Sequence, residues 1–181
     1  MSLIKPLLPI KSCMVIGCCA LALTACGTSS PSVHSPGPEA TASLPAATGS
    51  APEINSFTFD EIDLGGCGMT LWAPGRDPRT DGVYLFNGLQ PPDGSPKATM
   101  RMKIDGRIMP FQRTEAEGEE YYGQFERQTF TSVDGGLTAE VNSEVTSKPE
   151  NSEVWGVQGT ITVINADGQE TSVEAIGDAG C

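Results

Sequence analysis

Five Asp-Gly dipeptides recur between residues 81 and 168, and they constrain the fold more than any other feature of the sequence. They lie at positions 81–82, 93–94, 105–106, 134–135 and 167–168. Aspartate and glycine both tolerate the positive φ angles that tight hairpin turns require. The segments beside several of these pairs alternate between apolar and polar residues, and none sustains a helical apolar stripe. The pattern therefore predicts an all-β, antiparallel fold.

The alternation and the turn signals together predict about eight or nine strands. We expect them near residues 55–63, 68–72, 83–87, 97–104, 107–113, 121–131, 137–146, 154–164 and 170–176. Strands joined by hairpins favour a meander, which forms either a small sandwich or a small barrel. Two positions disturb the period. Pro110 predicts an edge or a bulge, and the odd spacing of Phe125 and Phe130 requires a bulge or a bend if both face the core.

The first 25 residues have the layout of a secretory signal peptide. Lys5 and Lys11 give a positive start, and residues 13–23 form an apolar run of eleven residues. At 1.5 Å per residue this run is too short to cross the roughly 30 Å hydrocarbon core of a bilayer. We therefore expect residues 1–25 to be removed after export rather than kept as a membrane span.

The apolar run ends in Leu23-Thr24-Ala25-Cys26, which resembles the lipobox of bacterial lipoproteins. The resemblance implies a diacylglyceryl group on the Cys26 sulfur, fatty acyl chains such as palmitate, and cleavage after Ala25. Gly27 stands where many lipoproteins of the inner membrane carry aspartate, so the resemblance implies the outer membrane if the cell has one. A metal site built from the N-terminal cysteines is the alternative, but their spacing lacks C-x-x-C pairs.

Residues 26–53 are predicted to be the lipidated cysteine and a disordered tether. Proline, serine, alanine, threonine and glycine dominate this stretch, and it shows neither the strand nor the helix period. Such a composition buries too little apolar surface to offset the entropy of ordering the backbone. The folded domain is therefore expected at residues 54–181, a common size for one domain.

Cys67 and Cys181 are the only cysteines of this predicted domain. An exported chain with an even pair of thiols most simply forms a disulfide. Catalytic thiols are the alternative. They lack support because the domain contains no C-x-x-C pair and no histidine to lower a cysteine pKa.

The predicted mature chain is strongly acidic. Removal of the signal peptide takes away Lys5 and Lys11 but no acid, which leaves nine basic and twenty-three acidic residues and a net charge of −14. Such a charge argues against nucleic acid and against direct binding to anionic headgroups, so the lipid on Cys26 is the expected membrane anchor. Acids cluster at residues 60–63 and 115–120. We interpret them as solvated faces rather than calcium ligands, because no EF-hand spacing is present.

No catalytic motif is evident in the predicted domain. The absence of histidine excludes Ser-His-Asp, Cys-His and histidine-based zinc sites, and no glycine-rich phosphate loop is present. We therefore expect a non-enzymatic protein without a cofactor or a metal. A small carboxylate-dependent hydrolase of the cell envelope is the alternative.

Two long, Pro/Gly-rich connections are the candidate binding segments, at residues 72–82 and 87–97. Both are longer than a hairpin needs, and long loops on rigid sheets often bind other molecules. Trp72, Arg76 and Arg79 are the predicted binding residues, because tryptophan and arginine are common at interface hot spots. Alternatively, Trp72 completes the core. The expected role is binding or assembly, with an envelope protein as a candidate partner.

Three further segments resemble small uncharacterised lipoproteins, with cyanobacterial ones as a candidate group. They are Gly66-Cys67-Gly68-Met69-Thr70-Leu71-Trp72, Ile104-Asp105-Gly106 and Gly177-Asp178-Ala179-Gly180-Cys181. The resemblance implies no known activity. It agrees with a lipid-anchored protein of the cell envelope.

Overall fold

The structure is a computed structural model that describes residues 49–94 and 97–181. The predicted signal peptide, Cys26 and most of the predicted tether lie outside these residues. The described chain consists of nine strands and one short 3-10 turn, Phe59–Glu61. The strands are β1 Ile54–Asn55, β2 Gly68–Trp72, β3 Leu85–Gly88, β4 Met100–Ile104, β5 Arg107–Tyr121, β6 Gln124–Ser132, β7 Leu137–Ser147, β8 Val154–Asn165 and β9 Glu170–Gly180. The predicted all-β fold is confirmed.

The strands form a closed antiparallel barrel. From β2 to β9 each strand pairs with the next one along the chain, and β2 pairs with β9 to close the ring of eight. The two-residue β1 is an addition beside the end of β4, where Ile54 pairs with Ile104. The sequence was compatible with either a small sandwich or a small barrel, and the chain forms the barrel.

The barrel interior contains the apolar faces that the alternation predicted. In β4, Met100, Met102 and Ile104 are fully buried, whereas Arg101 and Lys103 point outward. The inward residues of β7 and β8 continue the same core, namely Ala139, Val141, Val157, Ile161 and Val163. A period of two therefore suffices to place these side chains.

A second, smaller apolar cluster lies on the outer face of the barrel. Phe57, Val83 and Phe86 are buried there, and Trp72 and Ile108 pack against them. The chain between β1 and β2 covers this cluster, so that Phe86 is buried although its neighbour Leu85 faces the interior. The covering segment explains why an outward-facing position of β3 carries phenylalanine.

The two disturbances of the period have separate explanations. Pro110 lies within β5, and its carbonyl oxygen accepts a hydrogen bond from the Val133 N–H (3.0 Å), just beyond the end of β6. The proline nitrogen points to the same side, where the β5–β6 ladder has just ended, and a missing N–H is tolerated there. Phe130 is buried but Phe125 is only half-buried, so β6 needs no bulge. The irregularities lie in the partner strand β5 instead.

The connections fall at two opposite ends of the barrel. The end that we call the Asp-Gly end carries the β2–β3, β4–β5, β6–β7 and β8–β9 connections, each with an Asp-Gly pair. The end that we call the disulfide end carries the β3–β4, β5–β6 and β7–β8 connections. In all five Asp-Gly pairs of the chain the glycine has a φ between 71° and 80°, as the turn chemistry predicted.

The chain enters the barrel at the Asp-Gly end. Asn165 Nδ2 donates to the carbonyl oxygen of Ser50 (3.2 Å), and the Glu53 N–H donates to Asp105 Oδ1 (2.9 Å). The fold therefore begins several residues before the predicted boundary at residue 54. Composition alone gives no sign of this, because the partners of this backbone are turns more than fifty residues away.

Candidate functional site

Cys67 and Cys181, the cysteines that the sequence predicted to pair, are joined by a disulfide. Their Cα atoms lie 4.2 Å apart, one immediately before β2 and the other immediately after β9. The neighbouring residues Gly68 and Gly180 are partners in the β2–β9 ladder. The bond therefore ties the last strand to the first strand of the barrel at its closing seam.

A network of buried polar side chains lies inside this end of the barrel. Asn87 Nδ2 donates to Gln124 Oε1 (2.6 Å), and Thr99 Oγ1 donates to Asn87 Oδ1 (2.9 Å). Gln128 Oε1 accepts a hydrogen bond from the Arg113 guanidinium (3.0 Å). A buried amide without a hydrogen-bond partner destabilises the folded state. Movement of the β3–β4 connection away from the β5–β6 connection would break these hydrogen bonds, so the bonds hold the two connections together.

The β5–β6 hairpin extends beyond its neighbours and bends over the end of the barrel. β4 pairs with β5 only as far as Phe111, and β7 pairs with β6 only from Arg127 onward. Register irregularities in β5 and a φ of 88° at Gly118 accompany the bend. At the tip the Tyr121 hydroxyl is hydrogen-bonded to the Ser143 hydroxyl, and burial raises the Tyr121 pKa. The hairpin is therefore docked onto the barrel.

Tyr122 occupies an unusual position in this hairpin. It is the first residue of a two-residue turn and has a φ of 51°, followed by Gly123 at 71°. Asparagine, aspartate or glycine is preferred there, and a left-handed conformation costs other residues about 1–2 kcal/mol. The Tyr122 ring packs edge-on against Trp155 at 5.1 Å between centroids, and Lys148 Nζ lies 4.4 Å from the Trp155 centroid. These contacts offset the strain.

A cleft of about 350 Å³ opens between this hairpin and the β3–β4 loop. Leu89, Tyr122 and Phe125 supply its apolar wall, with Arg113 and Glu120 beside them. Leu89 is 45% exposed, which is high for a leucine against an apolar wall. A second cleft of about 330 Å³ shares Leu89 and continues toward Cys67.

Arg113 is the main charged group of the cleft. Its guanidinium donates to the carbonyl oxygen of Gly123 (2.9 Å) and lies 5.1 Å from the ring centroid of Phe125. Desolvation lowers the pKa of Arg113, and the nearby Glu120 carboxylate opposes that shift. The arginine thus helps to hold the turn and the aromatic wall of the cleft in place.

A larger groove of about 760 Å³ crosses the outer surface of β6 to β9. Glu126, Glu144 and Glu174 line it, together with polar neighbours. Glu144 Oε1 accepts a hydrogen bond from Gln158 Nε2 (2.7 Å). The groove therefore combines carboxylates with apolar wall from Pro74, Ala175 and Ile176.

The structure separates the sequence-predicted binding residues from this cleft. Trp72 is half-buried in the outer apolar cluster, while Arg76 and Arg79 are exposed in the β2–β3 connection at the Asp-Gly end. Within the described chain, cation–π contacts join Arg113 to Phe125 and Lys148 to Trp155. Trp72 is in neither pair. The other predicted segment, residues 87–97, does contribute to the cleft through Leu89 and Gln90.

The sequence did not lead us to predict the cleft residues of the β5–β6 hairpin as binding residues. The signal was the Tyr-Gly pair at 122–123, where a turn carries an aromatic residue instead of aspartate or asparagine. Arg113 and Phe125 gave no local signal, because the bend in β5 brings them together.

Two of the three acids in the first acidic cluster lie beside basic side chains. Glu61 Oε2 lies 2.6 Å from Lys103 Nζ, and Asp63 Oδ1 lies 3.8 Å from an Arg101 nitrogen. The hydrogen bond from Lys103 lowers the Glu61 pKa. Across the described residues, no three histidine, cysteine, aspartate or glutamate side chains are grouped so that they could hold a metal ion.

Residues 49–94 and 97–181 contain no helix long and apolar enough to cross a membrane. Comparison of the chain with protein-family models, with curated proteins and with solved structures found no match in any of the three.

Proposed function

We propose that this chain is a non-enzymatic, lipid-anchored protein of the cell envelope that binds a partner protein through the disulfide end of its barrel. The cleft beside Leu89 is the observation that carries the proposal. It combines an exposed leucine, two aromatic rings and an arginine on a frame fixed by buried hydrogen bonds. Aromatic residues and arginine are enriched at binding hot spots, and a fixed frame reduces the entropy lost on binding.

The lipobox resemblance at Cys26 supports the anchor. Two or three acyl chains hold a protein on a membrane almost permanently, because each buried methylene contributes about 0.8 kcal/mol. The tether enters the barrel at the Asp-Gly end in this proposal, since Ser50 and Glu53 are bonded there. The cleft lies at the opposite end, where an anchored barrel presents it to other envelope proteins.

Co-purification from detergent-solubilised membranes tests the binding role. We expect a discrete partner with the wild-type chain, its loss with Leu89→Ser, and its retention with Val133→Ser. Val133 is the matched control, because it is 64% exposed and lies at the Asp-Gly end. Equal recovery with all three chains contradicts the assignment of the cleft.

Fatty-acid labelling tests the anchor independently. The label should enter the wild-type chain and be absent from Cys26→Ser, because serine cannot form the thioether to the lipid. Labelling that persists in the variant contradicts the anchor.

A carboxylate-dependent hydrolase is the second candidate, favoured by the glutamates in the outer groove. A pair of carboxylates suffices for glycoside cleavage. This function predicts release of reducing ends from purified envelope glycan that is lost in Glu126→Gln and Glu144→Gln and kept in Glu170→Gln.

A further inference from the structure

The edge of β5 beside the cleft lacks a strand partner. β4 pairs with β5 from Arg107 to Phe111, whereas β5 continues to Tyr121. Over residues 112–120 the only strand that pairs with β5 in the described chain is β6, on its other side. An open edge of this length is a ready template for another strand.

The side chains of this edge are strongly acidic. Glu115, Glu117, Glu119 and Glu120 are all exposed within six residues of one strand. Part of this charge is offset, by Arg127 at 3.4 Å from Glu117, by Lys148 at 3.7 Å from Glu119 and by Arg113 near Glu120. A second copy of this chain is repelled by such an edge, whereas a basic strand is attracted to it.

The acidic edge leads into the cleft. Glu120, the last of the four glutamates, lines the cleft together with Leu89 and Tyr122. A strand added to this edge therefore reaches the apolar wall when it approaches the hairpin tip. Main-chain hydrogen bonds supply affinity in such complexes, and pockets for single side chains supply specificity.

We infer that the free edge of β5 receives an extended, cationic segment of the partner, which adds as a strand and places one apolar side chain in the cleft beside Leu89. The inference rests on the proposed function and names the chemistry of the partner. At the opposite end, residues 170–175 of β9 also lack a partner on the β2 side within the described chain, but that edge is shorter and carries two glutamates rather than four.

Synthetic peptides test the inference directly on the full chain in detergent micelles. The probe is a fluorescent ten-residue peptide of alternating lysine and threonine, made in two forms with leucine at either end. We expect one form to bind with an affinity that falls as salt is added. A version with glutamate for lysine, and a version methylated on alternate backbone nitrogens, should each bind at least about tenfold more weakly.

Matched variants identify the surface. The double change Glu115→Gln/Glu117→Gln should weaken the lysine peptide about fivefold or more, whereas Glu170→Gln/Glu174→Gln should not. A peptide that carries leucine should bind the wild type more tightly than a peptide that carries serine in its place. Leu89→Ser should make the two affinities equal. Equal binding of the methylated peptide overturns strand addition. The inference is also overturned if Glu115→Gln/Glu117→Gln binds the lysine peptide as the wild type does and associates with itself. That result shows that the glutamates serve only to prevent self-association through the edge.

The two proposals fail separately. One outcome is a partner that requires Leu89 and yet contacts it through an acidic surface or through a folded, non-extended surface. Such a partner contradicts strand addition and leaves the binding role intact. Loss of every Leu89-dependent partner contradicts the proposed function itself.

Discussion

The two ends of the barrel are built by different rules. At the Asp-Gly end, the turns themselves close through contacts between near neighbours, and two of them also bind the incoming chain at Ser50 and Glu53. Asp134 Oδ1, for example, accepts hydrogen bonds from Ser132 Oγ (2.6 Å) and the Gly136 N–H (3.1 Å). At the disulfide end, the contacts join distant parts of the chain, such as Asn87 to Gln124 and Cys67 to Cys181. Local turn chemistry is sufficient to terminate a hairpin, so departures from it at one end indicate a surface with another role.

Of the changes considered, breaking the disulfide is expected to lower the stability of the protein most. Cys67→Ser should lower the free energy of unfolding by about 2–5 kcal/mol, because the bond closes a long loop at the seam of the barrel. Cys181→Ser and the double variant should show the same loss, since either change already removes the one bond. Urea unfolding measures the loss, and mass spectrometry of the non-reduced protein checks the bond. Two alkylatable thiols in protein isolated from its own cells contradict it.

Removing Asn87 tests the buried network. Asn87→Ala should destabilise the protein by about 1–3 kcal/mol, because the buried Gln124 amide and Thr99 hydroxyl each lose a partner. Asn142→Ala serves as a control, since Asn142 is exposed on β7. Urea unfolding should separate the two variants clearly. A loss in Asn87→Ala no larger than that of the control shows that the network does not hold this end together.

Exchanging the turn residues sharpens the comparison. Asp105→Tyr places tyrosine in the left-handed position of the β4–β5 turn without a Trp155-like neighbour, and it removes the bond to the Glu53 N–H. We expect a loss of about 1–2 kcal/mol. Tyr122→Asn should cost less than this, because relief of strain compensates for the lost ring contact. The opposite order in thermal unfolding contradicts the view that Tyr122 is retained for its contacts.

Acid should weaken the Asp-Gly end slightly, at a pH below the ordinary carboxyl range. Hydrogen bonds from Ser132 and from the Gly136 N–H hold the Asp134 pKa below its ordinary value of 3.8. Its contribution to stability is therefore complete above that value and is lost as the pH falls through the lower, folded-state pKa. The difference in melting temperature between wild type and Asp134→Asn should shrink over this range. A difference that grows as the pH falls contradicts the assignment.

The sequence predicted the Asp-Gly end better than the disulfide end. The bounds of β2 were predicted at residues 68–72 and the turn glycines were placed correctly, because alternation and Asp-Gly chemistry are local signals. β5 was predicted to end at residue 113, but it continues to Tyr121. Glycine and four glutamates are poor strand formers, and only pairing with β6 makes that segment extend.

The cleft was predicted only in part, for the same reason. The length and composition of the loop at residues 87–97 indicated a binding segment, and Leu89 lies there. Arg113 and Phe125 come together only after the register of β5 shifts relative to β6. A single sequence contains no local signal for such a shift, so these residues required the structure.

Site-specific photo-crosslinking in living cells tests the central claim most directly. A photoreactive amino acid at Leu89 samples the disulfide end, and the same residue at Val133 samples the Asp-Gly end. Both positions are exposed apolar residues, at 45% and 64%, so that reactivity toward bulk solvent is comparable. We predict a discrete crosslinked protein at Leu89 and none at Val133. A crosslinked protein at Val133 alone, or at neither position, contradicts the assignment of the disulfide end as the binding surface.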